Sequence, residues 1–322
     1  MKKTAQMIGY AMLLYLAVTF AVEFLLVLIV EVIAMVYMLM TGGAMESAMA
    51  IAMNGWFLMI TSVISSYIAA PLSAWLLVRK LPNATFDKSK LTSGGVLMSG
   101  CVSLGTLYLF GYLSEGILWI VSKVTNTTVE QLNAVNQMSE QFSVLQYVLL
   151  VCVAAPIFEE LFFRGLIIKK MLVHGKVAAI VLSAAVFGLV HGTLSQIPYA
   201  LALGFVLGYI YIKHGNIYLN IGLHMVMNFM GGVLYLIIGD LPYADYIHLG
   251  ISIAFILGAI VIVVLKWKDI KNYIFEDTTQ DMPVGQQIKA VLLNPGFILF
   301  AVACLLLMLF TLGSTILLSN MM

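Results

Sequence analysis

The feature that most constrains this chain is the recurrence of long runs of apolar side chains. A helix needs about 20 consecutive apolar residues to cross a hydrocarbon core about 30 Å thick. Only 10% of the 322 residues are charged, whereas soluble domains carry about 25%. The runs predict an all-α, polytopic transmembrane helical bundle of about eight to nine helices, with spans near residues 8–40, 50–78, 92–122, 143–168, 177–193, 197–212, 217–238, 247–265 and 293–318.

The basic residues predict how this bundle is oriented. With the N-terminus in the cytosol, Lys123 faces outwards, Arg164 lies within a span, and every other basic residue falls on the cytosolic side, as the positive-inside rule requires. The first apolar run continues to about residue 40, which indicates a retained span rather than a cleaved signal peptide. We therefore expect an integral protein of a bacterial plasma membrane with a cytosolic N-terminus. The cytosolic set is Lys2, Lys3, Arg79, Lys80, Lys88, Lys90, Lys169, Lys170, Lys176, Lys213, Lys266, Lys268, Lys271 and Lys289.

Composition also excludes some functions. A formal net charge of +1, without a concentrated basic surface, argues against binding of nucleic acid and leaves membrane lipids as the expected surroundings. Cys101, Cys152 and Cys304 stand alone within predicted spans and form no C-x-x-C pair, which is typical of small buried hydrophobic residues.

Ionisable residues within the spans are the main candidates for function, because a charge at mid-bilayer costs a few kcal/mol unless it is paired or hydrated. Glu160 and Arg164 are four residues apart and share a helix face, so we expect an ion pair between them. Glu159 points about 100° away from that face. A carboxylate without a local counter-charge can take a proton from bound water as a general base, although a salt bridge that only fixes helix packing is the simpler alternative.

Two more motifs favour a shared site. FGLVH places Phe187 and His191 on one helix face, and HMVMN does the same for His224 and Asn228. Counted from the cytosolic ends at ~1.5 Å per residue, Glu159 and His191 lie roughly 20 Å deep, and the HMVMN pair roughly 10 to 17 Å. We therefore expect the three motifs to converge in a cavity that opens to the cytosol.

These residues resemble a known family. EELFFR, FGLVH and HMVMN match, in order, the E-E-x-x-x-R, F-x-x-x-H and H-x-x-x-N motifs of the CPBP family, the CAAX-protease and bacteriocin-processing (Abi) group of intramembrane endopeptidases. The resemblance covers roughly residues 143–235. It implies N-terminal transmembrane helices over 1–142, a catalytic core over 143–238 and C-terminal transmembrane helices over 239–322.

The resemblance also implies roles for individual residues. Glu159 and His191 would activate the hydrolytic water, His224 and Asn228 would hold the oxyanion, and Glu160, Arg164 and Phe187 would support the site. Such donors suit amide hydrolysis, which needs a base for water and hydrogen-bond donors where negative charge develops.

The role of a metal stays open at the level of the sequence. Members of the family are often labelled metalloproteases, and a zinc set is conceivable, but a water activated by glutamate beside a neutral oxyanion hole requires no ion. We therefore favour a mechanism without a tightly bound metal and keep zinc as the alternative. The zinc ligands would be Glu159, Glu160, His191 and His224.

Two other classes of protein compete with the protease. A non-catalytic immunity factor or scaffold would keep the polar cluster for helix packing, and a proton-coupled transporter would spread its polar residues along a path through the bilayer. Glu23 and Glu31, two turns apart in the first span, have no partner at an informative spacing and are expected to be structural. The substrate could be CAAX-like, lipidated or a small peptide, since no residue pattern indicates a prenyl pocket.

Overall fold

The computed structural model describes residues 1–41, 54–85, 91–275 and 282–319 of the chain. Two of the predicted cytosolic lysines, Lys88 and Lys90, lie outside this described part. Within it every regular element is a helix, so the predicted all-α bundle is confirmed. In chain order we number them α1 (Lys2–Thr41), α2 (Gly55–Val78), α3 (Ser93–Thr125), α4 (Val129–Leu132), α5 (Ala134–Gln141), α6 (Val144–His174), α7 (Lys176–Val190), α8 (Ile197–His214), α9 (Ile217–Ile238), α10 (Ala244–Phe275), α11 (Val284–Leu292) and α12 (Pro295–Ser319).

Eight of these helices in the described part are long and apolar enough to cross a membrane. They are α1, α2, α3, α6, α8, α9, α10 and α12. The remaining predicted span, 177–193, corresponds to the shorter apolar helix α7. At 15 residues α7 is about 22 Å long, less than a full hydrocarbon core. It therefore ends inside the bundle, and His191 follows its last residue.

Two polar segments that follow predicted spans, residues 123–142 and the residues after 265, contain more helix than their composition predicts. The linker at 123–142 forms α4 and α5, and the side chains of Thr128 and Asn133 cap their first turns by accepting hydrogen bonds from backbone N–H groups. Helix α10 continues to Phe275, ten residues beyond its predicted end, because a helix satisfies its own backbone hydrogen bonds in water as well as in lipid. The apolar pattern locates the span and not the helix end.

The two ends of the chain pack against each other. Helices α1 and α12 are in extensive contact, and a Cβ atom added to Gly9 would lie 2.3 Å from the carbonyl carbon of Gly296. Neither position tolerates a side chain without moving backbone, so the two helices approach more closely than larger residues permit. Helix α12 is therefore part of the bundle and does not form a separate unit.

The helix ends that were predicted to be cytosolic lie together. Thr4 Oγ1 is 2.8 Å from His174 Nε2, which joins the start of α1 to the end of α6. The ammonium group of Lys170 donates to backbone carbonyls in the loop after α2. At the start of α7, Lys176 Nζ donates to the carbonyl of Tyr273 in the last turn of α10 (2.9 Å). These contacts join the start of α1, the loop after α2, the end of α6, the start of α7 and the end of α10 at one end of the bundle, and the side of the membrane stays a prediction.

In the described part of the chain, four stretches of π-helix interrupt the spans, and in each a backbone carbonyl accepts a side-chain hydrogen bond from another helix. A carbonyl at membrane depth has no water to bond, and a widened helical turn exposes it to a neighbouring helix. The bonds therefore connect α1 to α2, α9 and α7 to α6, and α3 to α9. The stretches are Val63–Ala69, Val148–Ala154, Glu160–Ile168 and Phe229–Val233, with acceptors at Ser66, Val151, Phe163 and Met230 and donors at Tyr15, Asn228, Ser183 and Tyr108.

Candidate active site

Helix α6 carries the predicted ion pair in the centre of the bundle. Arg164 Nη1 donates to Glu160 Oε1 over 2.9 Å, and both side chains are completely buried. The pair lies in the second π-helical stretch of α6, which begins at Glu160. The structure confirms the pairing predicted from the four-residue spacing.

The rest of the Arg164 guanidinium packs on an aromatic ring. Its central carbon lies 4.5 Å from the ring centroid of Phe187, within the range of a cation–π interaction. Its Nε and Nη2 atoms are buried and have no hydrogen-bond partner among the described residues. Phe187 therefore supports the ion pair, and its ring edge also contacts His191 (4.9 Å between centroids) and His224 (5.9 Å).

Glu160 is the most connected side chain of the cluster. Its Oε1 accepts a hydrogen bond from His224 Nδ1 (3.0 Å) in addition to the bond from Arg164, and its Oε2 accepts one from Asn220 Nδ2 (3.2 Å). Asn220 also donates to the carbonyl of Leu207 on α8 (2.8 Å). Three donors on one buried carboxylate hold it ionised and fixed, which suits a support rather than a reacting group.

Sequence reasoning missed Asn220. The residue is fully buried on α9 and lies one helical turn before His224, and Asn228 lies one turn after it. Asparagine, histidine and asparagine at intervals of four residues share one face of a helix. That spacing, N-x-x-x-H-x-x-x-N in an apolar span, was the available signal.

Glu159 occupies a different environment from its neighbour. Its side chain is 17% exposed, and Oε2 lies 3.8 Å from His224 Nε2, which is too far for a hydrogen bond. The imidazole of His224 thus stands between the two glutamates, bonded to Glu160 and facing Glu159 across a gap. Among the described residues Glu159 forms no ion pair with Arg164, as the helix geometry predicts.

His191 lies at the end of α7 and is oriented by its own helix. Its Nδ1 donates to the carbonyl of Phe187 over 2.7 Å, which leaves Nε2 as the free ring nitrogen. His191 makes no ion pair with Glu159 within 4.0 Å, but the carboxylate acts on the imidazole electrostatically. The two groups thus share the centre without touching directly.

Asn228 is placed differently from the other predicted residues. Its Nδ2 donates to the carbonyl of Val151 in the first π-helical stretch of α6 (2.7 Å) and bonds to none of the other motif residues. One of its two amide hydrogens remains for another acceptor. The structure therefore brings Glu159, Glu160, Arg164, Phe187 and His224 into contact, links His191 to them through Phe187, and leaves Asn228 beside α6.

The side chains do not fit the zinc set considered from the sequence. Both the shared Oε1 of Glu160 and His224 Nδ1 are already used in hydrogen bonds to each other. Within the described ranges, no group of three or more His, Cys, Asp or Glu side chains is arranged to hold a metal ion. We derive no chemical step that depends on a metal.

The two glutamates of the first span, Glu23 and Glu31, contact none of the motif residues in the described part of the chain. Glu23 accepts a hydrogen bond from Ser65 Oγ of α2 over 3.0 Å, so it pairs with a neighbouring helix as a structural residue does. Glu31 is exposed on the surface of α1. No residue in the described ranges pairs with it.

Fold and centre together define a polytopic helical membrane protein in which charged side chains are gathered and fixed between the spans. Residues 141–230 match the family model described as type II CAAX prenyl endopeptidase Rce1-like, and this match confirms the resemblance to the CPBP family. The matched segment runs from the end of α5 into α9 and contains every motif residue. It supports a CAAX-type intramembrane protease in general. No curated protein and no solved structure matches the chain.

Proposed function

We propose that the chain is an intramembrane endopeptidase that hydrolyses peptide bonds with a water activated by Glu159 and His191. The observation that carries the proposal is the position of His224 between two glutamates, only one of which accepts hydrogen bonds from neighbouring side chains. Glu160 has three donors and is fixed, whereas Glu159 has none within hydrogen-bond distance among the described residues. A base must be free to take a proton, and Glu159 meets that requirement.

The oxyanion donor that we propose is His224 with both ring nitrogens protonated, whereas a neutral oxyanion hole was considered from the sequence. Glu160 and Arg164 cancel each other, which leaves the negative charge of Glu159 beside His224. When His224 is protonated, the four groups carry no net charge. Its Nδ1–H then bonds to Glu160, and its Nε2–H points into the 3.8 Å gap towards Glu159. A carbonyl oxygen that becomes negative beside Nε2 would meet a fixed donor.

We propose the following order of chemical steps. Glu159, assisted by the free Nε2 of His191, takes a proton from water while the water oxygen attacks the carbonyl carbon of the peptide bond. His224 and the remaining amide hydrogen of Asn228 donate to the oxyanion. When the tetrahedral intermediate collapses, the C–N bond breaks and the proton passes from the glutamate to the leaving amine. The steps need no serine or cysteine nucleophile.

For the substrate we propose a CAAX-like, lipidated or small peptide that reaches the centre within the membrane of a bacterial cell, with the N-terminus and the opening of the site in the cytosol. Orientation can be tested in a variant without native cysteines. An impermeant maleimide should label a cysteine at Asn126 in intact cells and leave one at Lys80 unlabelled. The reverse pattern would contradict the orientation and leave the site chemistry unaffected.

The activity can be tested on purified protein in lipid nanodiscs. The substrate is a dansylated peptide that ends in farnesyl-cysteine and three further residues, and the released tripeptide is detected by mass spectrometry. We expect release by the wild-type protein and none by the Glu159→Gln variant. If farnesylated, unmodified and short apolar peptides all stay intact, the non-catalytic immunity factor or scaffold is the better account.

A further inference from the structure

Two tyrosines of the N-terminal helices pack against phenylalanines that flank Glu159 in the sequence. The ring of Tyr67 on α2 stacks on Phe158, with centroids 5.7 Å apart and planes 7° apart. The ring of Tyr15 on α1 packs against Phe162 at 5.4 Å. Phe158 immediately precedes Glu159, and Phe162 follows it by three residues. The turn of α6 that carries the proposed base is thus held by aromatic contacts from outside the matched segment 141–230.

The two tyrosines are also connected to each other. The buried hydroxyl of Tyr15 donates to the carbonyl of Ser66 over 2.7 Å, and Ser66 immediately precedes Tyr67 in the π-helical stretch of α2. The contact fixes the backbone of α2 where Tyr67 projects. The route from α1 to Glu159 therefore passes through Tyr15, Ser66, Tyr67 and the Phe158 ring.

The two hydroxyl groups differ in one respect. The hydroxyl of Tyr15 has a partner, whereas that of Tyr67 forms no hydrogen bond with any residue in the described ranges. Tyr67 is half-buried, and its ring stacks on the residue that immediately precedes Glu159. A hydrogen bond to an acceptor lowers the free energy of a phenol that has left bulk water. The Tyr67 hydroxyl is therefore a donor near the turn of α6 that carries the proposed base, and it is open to a ligand.

We infer that Tyr67 is a substrate-binding residue whose hydroxyl donates a hydrogen bond to a backbone carbonyl of the peptide bound beside Glu159. The inference rests on the proposed function, since it places the peptide at this centre. A peptide that enters a membrane cavity loses the water that solvated its carbonyls, so each carbonyl needs a donor from the protein. Tyr15 is a positioning residue whose hydroxyl acts on the peptide only through Tyr67.

Binding to a protein that cannot cleave tests this inference directly. In the Glu159→Gln background, the fluorescence of the dansylated farnesyl-peptide reports its Kd. Tyr67→Phe keeps the ring on Phe158 and removes only the hydroxyl, so we expect binding about 2- to 10-fold weaker, the loss of one hydrogen bond. The matched control is Tyr112→Phe, which removes an interhelical bond to Ser252 of α10 (2.7 Å) and should leave Kd unchanged.

A double-mutant cycle tests the positioning role of Tyr15. Tyr15→Phe alone should weaken binding, and it should have no further effect when Tyr67 is already phenylalanine, because a residue that acts only through another loses its effect with that partner. In the active enzyme, Tyr67→Phe should raise KM by the same factor as Kd and leave kcat unchanged.

The possible results separate the inference from the proposed function. If Tyr67→Phe binds the peptide as tightly as the Tyr112→Phe control while the wild-type protein cleaves it, the inference is wrong and the protease stands. Additive effects of the two tyrosines would remove the positioning role of Tyr15. A peptide that neither binds the Glu159→Gln protein nor is cleaved by the wild type would contradict both.

Discussion

Helix α6 and helix α1 both carry glutamates within a membrane span, but the protein encloses the glutamates of α6 far more than those of α1. In the most apolar 18-residue window of α6, 39% of the residues are buried in the protein, against 11% in α1. Glu160 on α6 has no exposed surface and three hydrogen-bond donors, whereas Glu23 on α1 has one hydroxyl partner and Glu31 is exposed. An intramembrane glutamate is thus an indicator of a site only where the protein encloses it.

The comparison also separates two kinds of helix contact. The flanking helices α1 and α12 meet through glycines and apolar surface, which needs no particular chemistry. The core helices α6, α7 and α9 meet through charges, amides and rings. Changes in the core should therefore alter function and stability strongly, and changes on the flanks, apart from Tyr15, should alter them little.

The largest effects are expected at the two histidines. If His191 works with Glu159 on the water, His191→Ala should lower kcat about 10²- to 10⁴-fold by removing a proton-transfer contribution. His224→Ala with Asn228 retained should cost about 10²- to 10³-fold, mainly in kcat, through the loss of one oxyanion donor. Steady-state kinetics with the farnesyl-peptide provides both numbers.

The histidine variants also address the metal. On this account activity survives a strong chelator, and neither variant is rescued by excess zinc. Mass spectrometry of the purified protein should find no zinc that disappears together with activity. Stoichiometric zinc lost in each histidine variant would recast Glu159 or Glu160 as a ligand and leave the protease assignment standing.

The next largest effect is expected for stability at Glu160. Glu160→Gln strands Arg164 as an unpaired charge inside the bundle, a change worth about 3 to 5 kcal/mol when an ion pair is buried. Thermal unfolding in detergent should show a clear fall in melting temperature. Glu23→Gln is the matched control on a flanking helix, because it keeps a partner for Ser65 and should lower the melting temperature much less.

A smaller effect is expected at Asn220. Asn220→Ala removes the amide that bonds both Glu160 Oε2 and the carbonyl of Leu207, so it should cost about 1 to 3 kcal/mol of stability. The activity that remains should show an unchanged dependence on pH if Asn220 only supports Glu160. A melting temperature equal to that of the wild type would mean that the amide is not needed.

The smallest effect is expected at an exposed position on α1. Glu31→Gln changes an exposed side chain without a protein partner in the described part of the chain, and such changes usually fall within about 0.5 kcal/mol. Melting temperature and hydrolysis rate should both match the wild type. A loss of activity here would show that the division between core and flank is wrong.

Much of this arrangement follows from local patterns in the sequence. Apolar runs locate the spans because the bilayer fixes their length, and a spacing of four residues predicts the pair of Glu160 and Arg164 because both lie on one turn of one helix. The order of the three motifs also predicted that their residues would gather. Each of these inferences depends only on residues close together in the sequence or on the thickness of the bilayer.

The remaining features depend on contacts between distant helices. The bond from Asn220 to Glu160 spans 60 residues, and the stacking of Tyr67 on Phe158 joins α2 to α6. Neither has a local period from which it can be predicted. The π-helical stretches cannot be predicted from local sequence either, since side chains of other helices donate to their exposed carbonyls.

The most direct test of the central claim is the melting temperature and hydrolysis rate of Glu159→Gln measured beside those of Glu160→Gln. The account holds that Glu159 is the base and Glu160 its support. It predicts that Glu159→Gln loses hydrolysis of the farnesyl-peptide completely and melts with the wild type, whereas Glu160→Gln loses both activity and stability. Equal melting temperatures with equal loss of activity in the two variants, or hydrolysis that persists in Glu159→Gln, would contradict it.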